Sequence, residues 1–185
     1  MNNKLPQMLG FSLILDIIIL DQISKWWVME YILRPMVDGH PTGVLSWIMH
    51  APDRVLSGIS IAVLPSFNLT MVWNEGVSFG LFQGLGIWPL VTMAAVISLY
   101  LSVLLKKSTS KFESIGLGII IGGAIGNIID RLRFGAVADF FDVYIGQYHW
   151  PAFNIADSAI CIGVAMLLWH GLFLDGRKQD KQKEE

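Results

Sequence analysis

A chain of 185 residues that is 54% hydrophobic and only 15% charged, with a mean hydropathy of +0.55, is too apolar for a soluble domain of its length and reads as a membrane protein. The formal net charge of -2 excludes the usual basic nucleic-acid binder. A lone cysteine, Cys161, excludes an internal disulfide or a thiolate metal cluster.

Met8 to Met29 is one apolar run, long enough as a helix to cross a hydrocarbon core of about 30 Å. Lys4 ahead of it resembles the start of a cleaved signal peptide, but Asp16 and Asp21 lie inside the run and no small-residue cleavage site follows. Residues 31–84 carry Pro35, Pro41, Pro52 and Pro65 with scattered charges, which rules out a spanning helix there. Within that segment SFNLTMVW partly alternates and favours strand, and NEGVSFG supplies a turn, so a small sheet is expected on the bilayer surface. A second span is expected over 85–105, bounded by Trp88 and by Lys106 and Lys107. The third, over 114–132, carries Gly118, Gly122 and Gly126 at four-residue spacing, which lets another helix approach closely. The fourth covers 156–174, and the charged tail 175–185 reads as solvated.

The expected fold is therefore an α-helical integral membrane protein: a single membrane domain of four transmembrane helices, with a small extracytoplasmic β-sheet between helices 1 and 2. Four spans put both termini on one side. Lys4, the loop lysines Lys106, Lys107 and Lys111, and the tail residues Arg177, Lys178, Lys181 and Lys183 make up most of the 13 basic residues, and these segments are cytoplasmic by the positive-inside rule. Residues 31–84 and 133–154 then face outward.

That outer side gathers Asp130, Asp139, Asp142 and Asp157. Asn127, Asp130 and Arg131 share one face at the end of the third helix, and Asn154 and Asp157 repeat the three-residue spacing at the start of the fourth, with Asn154 as a cap. Ionisable groups at membrane depth are costly and point to function. Two carboxylates in a desolvated cleft share a proton, so one serves as base toward water while the other stabilises the oxyanion and protonates the leaving amine. This chemistry requires no cofactor and no metal. The histidines His40, His50, His149 and His170 lack zinc-ligand spacing, and Ser108 to Lys111 satisfies S-x-x-K only in a lysine-rich loop. A proton-coupled transporter is the alternative from another class, and it would need carboxylates along a path through the bilayer. Spacing alone does not choose among Asp130, Asp139 and Asp142.

The runs DQISK (Asp21–Lys25), NEGVSFG (Asn74–Gly80), GGAIGNIIDR (Gly122–Arg131), VADF (Val137–Phe140) and FNIAD (Phe153–Asp157) resemble, in order, the five motif regions of lipoprotein signal peptidase, or signal peptidase II. The resemblance implies an aspartic endopeptidase of the bacterial inner membrane, cleaving diacylglyceryl-modified prolipoproteins just before the lipidated cysteine. It implies the catalytic pair Asp139 and Asp157, supported by Asp21, Lys25, Asn74, Gly76, Asn127 and Asn154, with Asp130 and Arg131 structural. It further implies a multi-pass monomer with a periplasmic active site, in contact with membrane lipids, without nucleic-acid partners and open to globomycin-type inhibitors. Two departures stand out: about twenty extra residues between DQISK and NEGVSFG, around 35–60, and the charged Glu75 where a small polar residue is usual. The extra stretch is expected either to modulate substrate access or to be a plain surface loop.

Overall fold

The computed structural model describes residues 4–37, 39–50, 54, 56–76 and 86–174. The charged tail and residues 77–85, which include the end of NEGVSFG, lie outside them. Among the described residues four helical stretches are long and apolar enough to cross a membrane: Leu5–Val37, Ile87–Lys107, Lys111–Phe134 and Ile155–Phe173.

The first stretch begins with α1 (Leu5–Trp27), continues through a π-helical segment, Val28–Leu33, and ends in a 3-10 turn, Arg34–Val37. It runs past the expected end at residue 29, and Pro35 is accommodated in the terminal 3-10 turn. The end is pinned. The Glu30 carboxylate accepts from Arg34 Nε at 2.7 Å and from the Thr42 backbone N–H at 2.9 Å, and Trp26 Nε1 donates to the Thr42 carbonyl at 3.0 Å. A short helix, α2 (Val44–Met49), then brings Trp47 down onto Phe134.

The other spans are α3 (Ile87–Lys107), α4 (Lys111–Phe134) and α5 (Ile155–Trp169), the last prolonged by a π-helical turn, His170–Leu174. Ser110 caps α4 through its side chain, and Gly135 ends it in the left-handed conformation. α4 is the axle: it packs on α1, α3 and α5, and far more of it is buried than of the other three. Its glycines make this possible. A Cβ at Gly118 would overlap the backbone of Gly10 on α1, and one at Gly126 would lie 2.7 Å from Asp21 Oδ2, so that glycine opens the space a buried carboxylate occupies.

The sheet is four-stranded and antiparallel in the order β1 (Ser60–Leu64), β2 (Phe67–Asn74), β3 (Val137–Ile145) and β4 (Tyr148–His149). The expected sheet between the first two spans is present and extends further, because the connection 133–154 contributes half its strands. Beneath it a core joins Val28, Met29 and Leu33 from the end of the first helix to Met71, Phe134 and Phe140. Trp47 and Leu56, from the stretch around 35–60, are buried in the same core, so the described residues there pack against the fold and do not form a plain surface loop.

Candidate active site

β2 and β3 set the first carboxylate. Val72 opposes Asp139 and Asn74 opposes Val137, which places Asn74 and Asp139 as diagonal neighbours on one face. Asn74 Nδ2 donates to Asp139 Oδ2 at 3.0 Å. The register slips by one residue between Leu69 and Val72, a bulge that turns the two halves of β2 to different faces. Asp142, three residues after Asp139 on β3, points to the opposite face, and the bulge lets Asn68 and Thr70 of β2 meet it while Asn74 meets Asp139. Asp142 accepts from Asn68 Nδ2 at 3.0 Å and Thr70 Oγ1 at 3.1 Å, and lies 2.7 Å from His149 Nδ1. Burial pulls Asp142 upward, but these bonds prevail and hold it below the usual carboxylate range.

The second carboxylate sits in the first turn of α5. Asn154 and Asp157 form a reciprocal capping box, with Asp157 N–H donating to Asn154 Oδ1 at 2.9 Å and Asn154 N–H to Asp157 Oδ2 at 3.2 Å. The helix start is carried to β3 by Phe153, whose carbonyl accepts from the N–H groups of Phe140 and Phe141. Asn154 Nδ2 then reaches Asp139 Oδ1 at 2.7 Å, and Asn127 Nδ2 from α4 reaches Asp157 Oδ1 at 2.8 Å. One asparagine thus touches both aspartates. Arg131 donates to the Gly76 carbonyl at 2.8 Å, while its Nε has no hydrogen-bond partner among the described residues.

Asp139 is only 1% exposed. Burial, reinforced by the facing Asp157 and only partly offset by the Asn74 hydrogen bond, pushes its carboxyl up to about 8.

Asp130 and Asp21 belong to a separate layer below. Lys25 Nζ lies 2.7 Å from each, and all three residues are fully buried. Gln22 Nε2 reaches Asp130 at 2.9 Å and Asp21 at 3.1 Å. Both carboxylates also hold backbone donors: Asp130 Oδ2, the oxygen facing Lys25, accepts from Ala138 N–H at 3.1 Å, and Asp21 Oδ1 accepts from Ala156 N–H at 3.0 Å. Those are the residues immediately before Asp139 and Asp157.

All ten residues singled out in the sequence gather at this end of the bundle: Asp139, Asp157, Asn74, Asn127 and Asn154 at the cleft, Gly76 and Arg131 beside it, and Asp21, Lys25 and Asp130 beneath. Gln22 was missed, although it lies within the first motif, next to Asp21. Asp157 is at the junction of two cavities. One, of about 330 Å³, lies between α3, α4 and α5 and is lined by Met93, Ile97, Ala124, Asn127 and Arg131 as well as Asp157. The other, of about 500 Å³, runs along Trp150 to Phe153 at the entry to α5.

The family described as Signal peptidase (SPase) II matches residues 13–173. The chain belongs to the signal peptidase II family. It is 38% identical over 157 residues to the lipoprotein signal peptidase of Polynucleobacter necessarius subsp. necessarius, a match covering 83% of this chain and 82% of that protein. With the lipoprotein signal peptidase of Rhodopseudomonas palustris it shares 45% identity over 133 residues, covering 68% and 80%. A solved bacterial membrane enzyme superposes with a TM-score of 0.68 at 26% identity, covering 90% of this chain and 88% of that one. Signal peptidase II enzymes are aspartic peptidases, and the chain is accordingly a membrane-bound peptidase that removes signal peptides from lipoproteins.

Proposed function

We propose that Asp139 and Asp157 form the catalytic dyad, and that cleavage falls immediately before a diacylglyceryl-modified cysteine at the outer face of the inner membrane. The observation that carries the dyad is Asn154, whose side chain bonds to the Asp139 carboxylate while its capping box holds Asp157. Asp157 lies at a helix N-terminus, where negative charge is favoured, and Asp139 is held protonated at neutral pH by burial. Ionised Asp157 takes a proton from water, whose oxygen bonds to the scissile carbonyl carbon. Protonated Asp139 donates to the carbonyl oxygen as the tetrahedral intermediate forms. The proton taken by Asp157 passes to the leaving amine as the C–N bond breaks, and Asp139 recovers its own as the carbonyl re-forms.

The signal peptide occupies the cavity between α3 and α5, with α4 as its floor, and the lipid-bearing side lies toward the cavity at Trp150 to Phe153. The lysine-rich ends, Lys106, Lys107 and Lys111 among them, support a cytoplasmic placement for the opposite end of the bundle. Clustering of the carboxylates at one end counts against a proton path across the bilayer.

The test is cleavage of one prolipoprotein with and without its diacylglyceryl group. Lipid-dependent cleavage that disappears in Asp139→Asn and Asp157→Asn but survives in Asp142→Asn is expected; an essential Asp142, or cleavage indifferent to lipid, would overturn the proposal.

A further inference from the structure

The two departures from the family pattern meet in space. Arg54, from the extra stretch, places Nη1 2.6 Å from Glu75 Oε1. The same guanidinium donates from Nε at 2.9 Å, and from Nη2, to the carbonyl of Phe134, the last residue of α4, and lies 5.6 Å over the Trp73 ring. It therefore clips the Asn74-Glu75-Gly76 turn to the point where α4 gives way to β3. Gly135 at that point has φ of 71°, which favours glycine in the turn, and a Cβ on it would come within 2.8 Å of Arg54 Nη2 and push the guanidinium aside.

Both neighbours of Glu75 are in the active site. Asn74 donates to Asp139, the Gly76 carbonyl accepts from Arg131 Nη2, and Gly76 N–H closes onto Asn74 Oδ1 at 3.1 Å. We infer that Arg54 and Glu75 are positioning residues: an ion-paired latch by which the extra stretch holds the Asn74–Gly76 turn in register against Asp139 and Arg131. The inference rests on the dyad proposed above.

The pair adds little to global stability, because the Arg54 and Glu75 side chains are 36% and 62% exposed and such pairs are screened by water. Its leverage is geometric. A misplacement of about 1 Å near reacting groups costs on the order of 100-fold in rate. Asp139 faces Asp157 from α5, Asp130 and Arg131 from α4 and Lys25 from α1, and Asn74 is the donor that the latch controls. A loosened Asn74 removes a hydrogen bond to the ionised form of Asp139, which then titrates at higher pH.

The experiment measures cleavage kinetics across pH for the full-length enzyme in proteoliposomes, comparing wild type with Arg54→Ala, Glu75→Ala, the double variant and Asp139→Asn. The latch predicts a kcat loss of about 10-fold in each single variant, with KM within about twofold, an upward move of the high-pH limb, and a double variant no worse than the singles. The thermal midpoint of Glu75→Ala should stay within about 2 °C of wild type, while Arg54→Ala, which also strands the Phe134 carbonyl, should lose several degrees. Single variants with wild-type kcat, or losses that multiply in the double, would overturn it. An active Asp139→Asn would instead remove the dyad and the latch together, whereas an inactive Asp139→Asn beside a fully active Arg54→Ala removes the latch alone.

Discussion

Replacing Asp139 with Asn should abolish catalysis and make the protein more stable. The Asp139 carboxyl titrates near 8 in the fold against an ordinary 3.8, chiefly because it is buried and then because Asp157 faces it. Between those values the unfolded chain releases the proton and the folded chain retains it, so stability is fully present at low pH and falls as pH rises toward 8. Over the interval from 3.8 to pH 7, at about 1.4 kcal/mol per pH unit, the carboxyl destabilises the fold by about 4 kcal/mol. Asparagine removes that burden but turns an N–H toward Asn74 or Asn154, both already donors, and so forfeits one hydrogen bond of about 1–1.5 kcal/mol. The net gain of about 2–3 kcal/mol corresponds to a rise in Tm of about 5–10 °C for a chain of this size. Thermal unfolding of wild type and Asp139→Asn in the same lipid, from pH 5 to 9, should show a gap that widens up to about pH 8 and then levels, with cleavage reduced at least ~1000-fold. A variant no more stable than wild type at pH 7, or a gap independent of pH, would refute the reasoning.

Lys25→Met should lower the stability by about 3–5 kcal/mol, since it strands the buried carboxylates of Asp21 and Asp130; thermal unfolding reads the loss, and cleavage should fall with it. Asp142→Asn should keep cleavage within about threefold of wild type, because the side chain is spent on His149, Asn68 and Thr70. The same variant should lose less stability on acidification below about pH 4, where wild-type Asp142 takes up its proton and its bonds weaken. Gly118→Ala should cost about 1–3 kcal/mol by forcing α4 away from the Gly10 backbone, while Gly171→Ala, with open space around it, should leave the unfolding midpoint unchanged.

The spans were legible because apolar runs between prolines and lysine clusters have no other reading at this length. Asn127, Asp130 and Arg131 were legible as a group because helical spacing put them on one face, and Asn154 with Asp157 because a cap and its third residue carry a recognisable pattern. β3 was not. Its first four residues are all buried, so no alternation marks them as strand, and the outward-facing segment 133–154 received no strand from the sequence. With that strand unseen, the odd separation of Asp139 and Asp142, which sends them to opposite faces, carried no information, and the choice between them came from resemblance alone. The bulge in β2 was equally hidden, since it is a property of the pairing and not of either strand. The roles of Gln22, Arg54 and Arg133 depend on partners far along the chain. Arg133 lies 4.1 Å over the Trp47 ring and donates to the Trp47 carbonyl, a contact no local pattern announces.

The ionic layer around Lys25 has a consequence for motion. Asp139 and Asp157 ride on a strand and a helix from different parts of the chain, yet the peptide N–H just before each is fastened to an oxygen of the same Asp21–Lys25–Asp130 cluster. The two arms are surveyed from one benchmark. Any displacement of the cluster would carry both arms together, so that the gap between the carboxylates would be the difference of two nearly equal movements. With the dyad proposed above, a peptidase in a deformable solvent could in this way keep its carboxylates in step without being rigid.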